Sequence, residues 1–237
     1  MLKLNQMESL LTAPPPKKSN KHLIVALIVV LAIIVVALIV FMTYPFVMAA
    51  TNHAYRNISG LTEPKQEIIT PKNIKLSGPD WIATAKQVAT YEIDGLVVGV
   101  TDYNSSILYD RVVPRDVAIA WGEAAAHNNV ISWDHGDREI TSSYTVYASW
   151  VIDTPNEELA SQYSNNHLVY ENDNVKAKAL KIQRGDHVKI TGHLVDLTIT
   201  DPADNQARYE LTTSLLRNDY GDHSCEVILV SNIEIID

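Results

Sequence analysis

Residues Leu23 to Met42 read LIVALIVVLAIIVVALIVFM, twenty positions without a charge, a polar side chain, a glycine or a proline. At a rise of about 1.5 Å per residue such a helix is about 30 Å long, the thickness of a bilayer's hydrocarbon core. It leaves no polar stripe of the kind that marks a helix packed on a soluble core. A cleaved signal peptide shares some ingredients, including the small residues near Val47-Met48-Ala49-Ala50. Its apolar core, however, runs to only about 7–15 residues. The run therefore predicts a retained membrane anchor through residues 23–42.

Direction follows from charge, because lysines and arginines flanking a span stay on the cytoplasmic side. Lys3, Lys17, Lys18 and Lys21 precede the run, whereas Arg56 is the one arginine or lysine in the twenty or so positions after it. The expected topology is a cytoplasmic tail (1–22) extended by Pro14-Pro15-Pro16, a transmembrane helix (23–43), a juxtamembrane stalk (44–85) and an extracytoplasmic globular domain (86–237). The stalk is expected from its lack of periodicity and from Pro45, Pro64, Pro71 and Pro79, with a short strand at Glu67–Ile69. The predicted address is the inner membrane, single-pass, with the N-terminus in the cytoplasm.

The tail carries four lysines and one glutamate, so the rest of the chain holds 15 basic and 27 acidic side chains, a net of −12. Such a domain repels phosphates at long range, which argues against nucleic acid as a partner. Cys225 is the single cysteine, so no disulfide can close within the chain and the core must hold unaided.

Past the stalk the pattern is that of an α+β domain, mostly β, built as a curved antiparallel sheet or small barrel with two to three helices. Val88–Tyr103 reads as one long bent strand or two, broken by Gly95 and Gly99. Pro114 opens an expected helix through Val117, Ala120, Trp121 and Ala124. Ile140–Ile152 alternates as a strand. Thr154-Pro155-Asn156-Glu157 is a capping box for a short helix to Gln162, and Asp173 is the expected cap of another through Ile182. His187–Ile199, Tyr209–Leu216 and Cys225–Ile236 follow as three strands joined by strong turn sequences, the pattern of an antiparallel meander.

No nucleophile elbow, phosphate loop, dinucleotide fingerprint or His-Glu-x-x-His motif is present, and no cofactor or metal site is expected. His187 and His193 lie about 20 Å apart along a strand, too far to share a metal. Trp133-Asp134-His135-Gly136-Asp137 places carboxylates beside an imidazole, but in residues that a turn needs anyway. Arg184-Gly185-Asp186 is explained by its place between a helix and a strand. Cys225 shares strand parity with Val227 and Leu229 and reads as a small core hydrophobe. Polar residues at element ends, where sites are built, single out His167, Arg217, Asp219 and Glu226 as the candidate binding set.

Several blocks together resemble a family of uncharacterised bacterial exported or membrane-anchored proteins. They are Pro114-x-Asp116-Val117-Ala118-Ile119-Ala120-Trp121-Gly122, Asn166-His167-Leu168, Gly185-Asp186-x-Val188-x-Ile190-x-Gly192-x-Leu194-Val195, and Ser214-Leu215-x-Arg217-x-Asp219-x-Gly221-x-x-Ser224-Cys225-Glu226-Val227. The chain departs at Asn166 and His193, where that family tends to carry a methionine and a tyrosine. The resemblance implies a bacterial, envelope-facing domain and brings no reaction with it. The expected function is a non-enzymatic binding or assembly module with envelope proteins as candidate partners. The alternative is a periplasmic hydrolase using His167 or His135 with a neighbouring carboxylate.

Overall fold

A computed structural model of the chain describes residues 20–144, 152, 156–216 and 224–236. Its first element, α1 (Lys21–Thr51), is one apolar helix of 31 residues, long enough to cross a bilayer once and buried nowhere against protein. The chain is thus built as a single-pass membrane protein, with the expected run inside one helix. A compact unit begins at Pro45.

That unit is wound from β1 (Lys65–Ser77), β2 (Ile82–Asp102), α2 (Leu108–Val112), β3 (Arg115–Ala120), α3 (Gly122–Ala126), β4 (Ile131–Gly136) and β5 (Glu139–Tyr144). It continues through α4 (Asn156–Ala160), β6 (Tyr163–Tyr170), α5 (Asp173–Ala179), β7 (His187–Asp201), β8 (Asp204–Leu211) and β9 (Glu226–Ile235). Seven strands form one sheet in the order β1-β2-β3-β6-β9-β7-β8, and β2 also pairs with β7. That extra pairing closes β2, β3, β6, β9 and β7 into a five-stranded barrel. Every neighbouring pair in the ring is antiparallel except β6 and β9, which run parallel. With a helix between its third and fourth strands, this is the circuit of an OB-type Greek-key barrel. The β4–β5 hairpin stands apart as a two-stranded sheet of its own.

Strand alternation decides what the barrel holds. Val117 and Ile119 of β3, Leu168 of β6, Ile190 of β7 and Ile228 of β9 form one buried cluster with Val175, Ala179 and Ile182 from α5 and the turn after it. Arg115 fixes that helix in place: its guanidinium donates to the carbonyls of Ala179 and Ile182, satisfying C-terminal acceptors, and pairs through Nε with Asp102 at 2.6 Å. The outer face of β2 and β3 is covered separately, where Leu96, Val98, Ala118 and Ala120 pack with Ala124, Ala125, Ile131 and Leu159.

Four expectations change. The stretch read as a stalk carries the rest of α1, then β1, which pairs with β2 over its length, so residues 65–85 belong to the sheet. The helix expected from Pro114 is a strand to Ala120 and a helix only from Gly122, because β3 is buried on both faces and its apolar residues Val117–Ala120 imitate helical spacing. The last three strands are not a meander: β8 pairs with β7 at the edge, while β9 inserts between β7 and β6. The soluble part has four short helices among the described residues, and α5 is capped by Asn172, whose side chain accepts from the Val175 amide at 3.1 Å, one residue before the expected Asp173. Most of the strand expected after Tyr144 lies outside the described residues.

Candidate functional site

Asp116 and His167 are direct partners in the β3–β6 ladder, and both turn outward because Val117 and Leu168 turn inward. His167 Nδ1 lies 2.8 Å from Asp116 Oδ1, and Asp116 is wholly buried. A carboxylate can only accept, so Nδ1 carries the proton and Nε2 is left for other work.

An ion pair reaches the same carboxylate from outside the barrel. Arg138, at the tip of the β4–β5 hairpin, donates from Nη1 to Asp116 Oδ1 at 3.2 Å and from Nη2 to Asp110 Oδ1 at 2.5 Å. Asp110 also accepts from Ser105 Oγ at 2.5 Å. Burial would raise the Asp110 carboxyl, but the Ser105 and Arg138 hydrogen bonds outweigh it and hold it below its ordinary value. The Arg138 guanidinium lies over the rings of Tyr103 and Tyr109, 3.7 and 4.0 Å from their centroids. Burial pushes the Tyr103 hydroxyl up to about 12 and raises Tyr109 as well, so both stay protonated.

The backbone of Arg138 is held as firmly. Its amide donates to the Tyr103 hydroxyl at 2.8 Å, and its carbonyl accepts from Asn165 Nδ2 at 2.8 Å and Cys225 Sγ at 3.4 Å. Asp137 and Arg138 have φ of 48° and 69°, the only non-glycine residues in that region among those described. Positive φ at both central residues is the mark of a type I′ two-residue turn, where the second position favours glycine. Arginine there costs roughly 1–2 kcal/mol, which the contacts of its side chain offset.

Asn165 links this group to His135. Its Oδ1 accepts from His135 Nε2 at 3.0 Å, which leaves His135 Nδ1 to receive the Thr101 hydroxyl at 3.1 Å. Burial lowers the His135 pKa, so the ring is neutral. It lies so close to β2 that a Cβ on Gly99 would sit 2.6 Å from Nδ1, which is why that strand position is a glycine.

Of these side chains, Arg138, His167, Tyr109 and Cys225 line a cavity of about 350 Å³, together with Glu139 and Glu210 among others. Its fixed charge is acidic: Asp137, Glu139 and Glu210 stand at the lining, while the arginine in it is already paired with two aspartates. Cys225 is half-buried there, its thiol pushed up to about 12 by burial first, so it is a thiol and not a nucleophilic thiolate. No three His, Cys, Asp or Glu among the described residues are placed to hold a metal ion.

Of the expected set, His167 is in this cavity and Glu226 is not. Glu226 is the ladder partner of Asn166, which shares the inward parity of Leu168, so it faces into the barrel on the opposite side of the sheet from His167. Arg217 and Asp219 lie outside the described residues. His135 joins the network through an amide and a hydroxyl, with no carboxylate on either ring nitrogen. Asp110, Asp116 and Arg138 were not anticipated. A legible signal existed for Asp116, the one carboxylate between Val112 and Ala120, at the head of the apolar run Val117–Ala120, where burial demands a partner.

The Arg184-Gly185-Asp186 tripeptide is used structurally. Gly185 has φ of +97°, and Asp186 accepts from the Gln183 amide and pairs with His53 at 2.8 Å. Comparison with known proteins finds no match: no family pattern, no curated protein and no solved structure is similar to this chain.

Proposed function

We propose that the protein is a membrane-anchored binding module of the bacterial envelope. Its barrel is displayed on the periplasmic side of the inner membrane, and its ligand seat is the cavity over the outer face of β3 and β6. The direction of the anchor rests on the lysines before α1. The observation that carries the seat is the chain Asp110–Arg138–Asp116–His167, four interlocked polar groups of which Arg138 and His167 line an open cavity. Buried ion pairs stabilise a fold no better than apolar packing of equal volume, so their concentration in one concave place supports a role in recognition. OB-type barrels use the face of their second and third strands for ligands, here β3 and β6. That support is by analogy of fold.

A photo-crosslinking side chain at Glu139, in the intact protein in its native membrane, tests the seat. The expected result is a discrete adduct that the same group at exposed Lys75 on β1 does not give. Equal labelling at both positions would contradict the reading.

The 2.8 Å His167–Asp116 bond favours one second reading, a hydrolase in which His167 activates water. It predicts ester hydrolysis above the buffer rate that His167→Gln abolishes while leaving the fold intact. Equal rates in both proteins remove its basis.

A further inference from the structure

The residues around the Arg138 guanidinium divide in an informative way. Tyr103 follows β2, Tyr109 and Asp110 lie on α2, and Asp116 is on β3, so every wall belongs to the barrel and its first loop. The occupant belongs to the β4–β5 hairpin, a separate two-stranded sheet. The walls are also tied down without it: Ser105 holds Asp110, and the β6 ladder partner His167 holds Asp116.

Two aromatic faces and two carboxylates around one planar cation make the arrangement that recognises guanidinium and alkylammonium groups. With Arg138 withdrawn, the walls carry two uncompensated negative charges. The cavity lining beyond them, with Asp137, Glu139 and Glu210, is acidic as well. An arriving cation is therefore attracted at both steps, and a displaced Arg138 finds carboxylates to meet outside.

We propose that Tyr103, Tyr109, Asp110 and Asp116 form a receptor cage for a guanidinium or alkylammonium group, occupied in the free protein by the chain's own Arg138, and that a cationic ligand displaces it. This rests on reading the adjoining cavity as the ligand seat, and it names the ligand's chemistry. Displacement has a built-in reporter. The Cys225 thiol donates to the Arg138 carbonyl, so withdrawal of the hairpin tip uncovers the single cysteine of the chain.

The test uses the full-length protein in detergent micelles with ethylguanidinium chloride as probe and sodium chloride at equal ionic strength as control. In the wild type, the rate of Cys225 alkylation by N-ethylmaleimide, followed by mass, is expected to rise several-fold and to saturate with the probe. In Arg138→Ala, whose cage is empty, the same probe is expected to raise the melting temperature saturably, with half-effect at lower concentration than in the wild type. Should that variant not fold, Arg138→Lys serves: its ammonium occupies the cage without the two-pronged pairing of the guanidinium, so the probe is expected to speed Cys225 alkylation with half-effect at lower concentration than in the wild type, and sodium chloride to leave the rate unchanged. An alkylation rate in the wild type that the probe leaves unchanged or slows would overturn displacement. A probe that binds the wild type at the cavity without speeding alkylation sinks the cage and leaves the seat standing. Loss of the discrete Glu139 adduct with displacement intact sinks the seat alone.

Discussion

The two faces of β3 and β6 are built differently around the Asp116–His167 rung, although Asn166 faces inward and Ala118 and Ala120 outward. Inward, Val117, Ile119 and Leu168 join the barrel's apolar core. Outward, one residue away in each strand, Asp116, Asn165 and His167 are as deeply buried, yet all three are polar. The inner row is held by burial, which is undirected and tolerates substitution of like volume. The outer row is held by direction, because each buried donor or acceptor needs a partner in place. A single step of strand parity separates the part that makes the fold from the part offered to a ligand.

The largest expected effect comes from breaking the outer row at its hub. Arg138→Ala strands Asp110 and Asp116 together and should cost about 3–5 kcal/mol, as breaking a buried pair does. Urea unfolding would show it, with Leu168→Ala inside the barrel as a comparison in the range of about 2–5 kcal/mol. If Arg138→Ala cost no more than a surface change, the outer row would not be coupled in the way its distances imply.

A smaller effect tests how the hairpin meets the barrel. Gly99→Ala drives a methyl into the His135 ring and should cost about 1–3 kcal/mol, since the ring is fixed by Thr101 and Asn165. The expected signature, beyond the lower unfolding midpoint, is faster alkylation of Cys225 as the hairpin shifts.

The smallest effect is a slope with pH. Burial lowers the folded-state pKa of His135, so the unfolded chain binds a proton first as pH falls. Its contribution is therefore complete above the unfolded value of about 6.5 and is lost as pH falls from there through the folded value. Removing the group in His135→Gln should make the stability gap to wild type narrow between pH 7.5 and pH 5. A gap that widens on acidification would mean that the imidazole is charged in the folded state.

What the sequence discloses follows the same division. Alternation reveals β5 and β7 and the long bent β2 because each has one polar and one apolar side for much of its length. It misleads at β3, where Asp116 is the one acid in a run buried on both faces and the run passes for a helix. Turn residues such as Asp201-Pro202 announce that the chain reverses, but not that β9 will pass β8 by and pair with β6. His167 is legible as a polar residue of the kind that builds sites at element ends, although it stands in mid-strand in β6. Glu226 shares its composition and not its face, and only the ladder register shows that. Arg138 is hidden most deeply, because at a hairpin tip a charged residue is what solvent exposure predicts, and its burial depends on walls supplied 22 to 35 positions away in the chain.

The most direct test replaces the outer row instead of breaking it: Asp110→Leu, Asp116→Leu, Arg138→Met and His167→Leu together, with thermal unfolding of the full-length protein as the readout. If the inner row makes the fold and the outer row serves a ligand, this apolar set restores packing without stranding a charge. Its melting temperature should then lie at or above that of the wild type and well above that of Arg138→Ala. A melting temperature as low as that of Arg138→Ala would contradict the account and make the polar network part of what holds the barrel together.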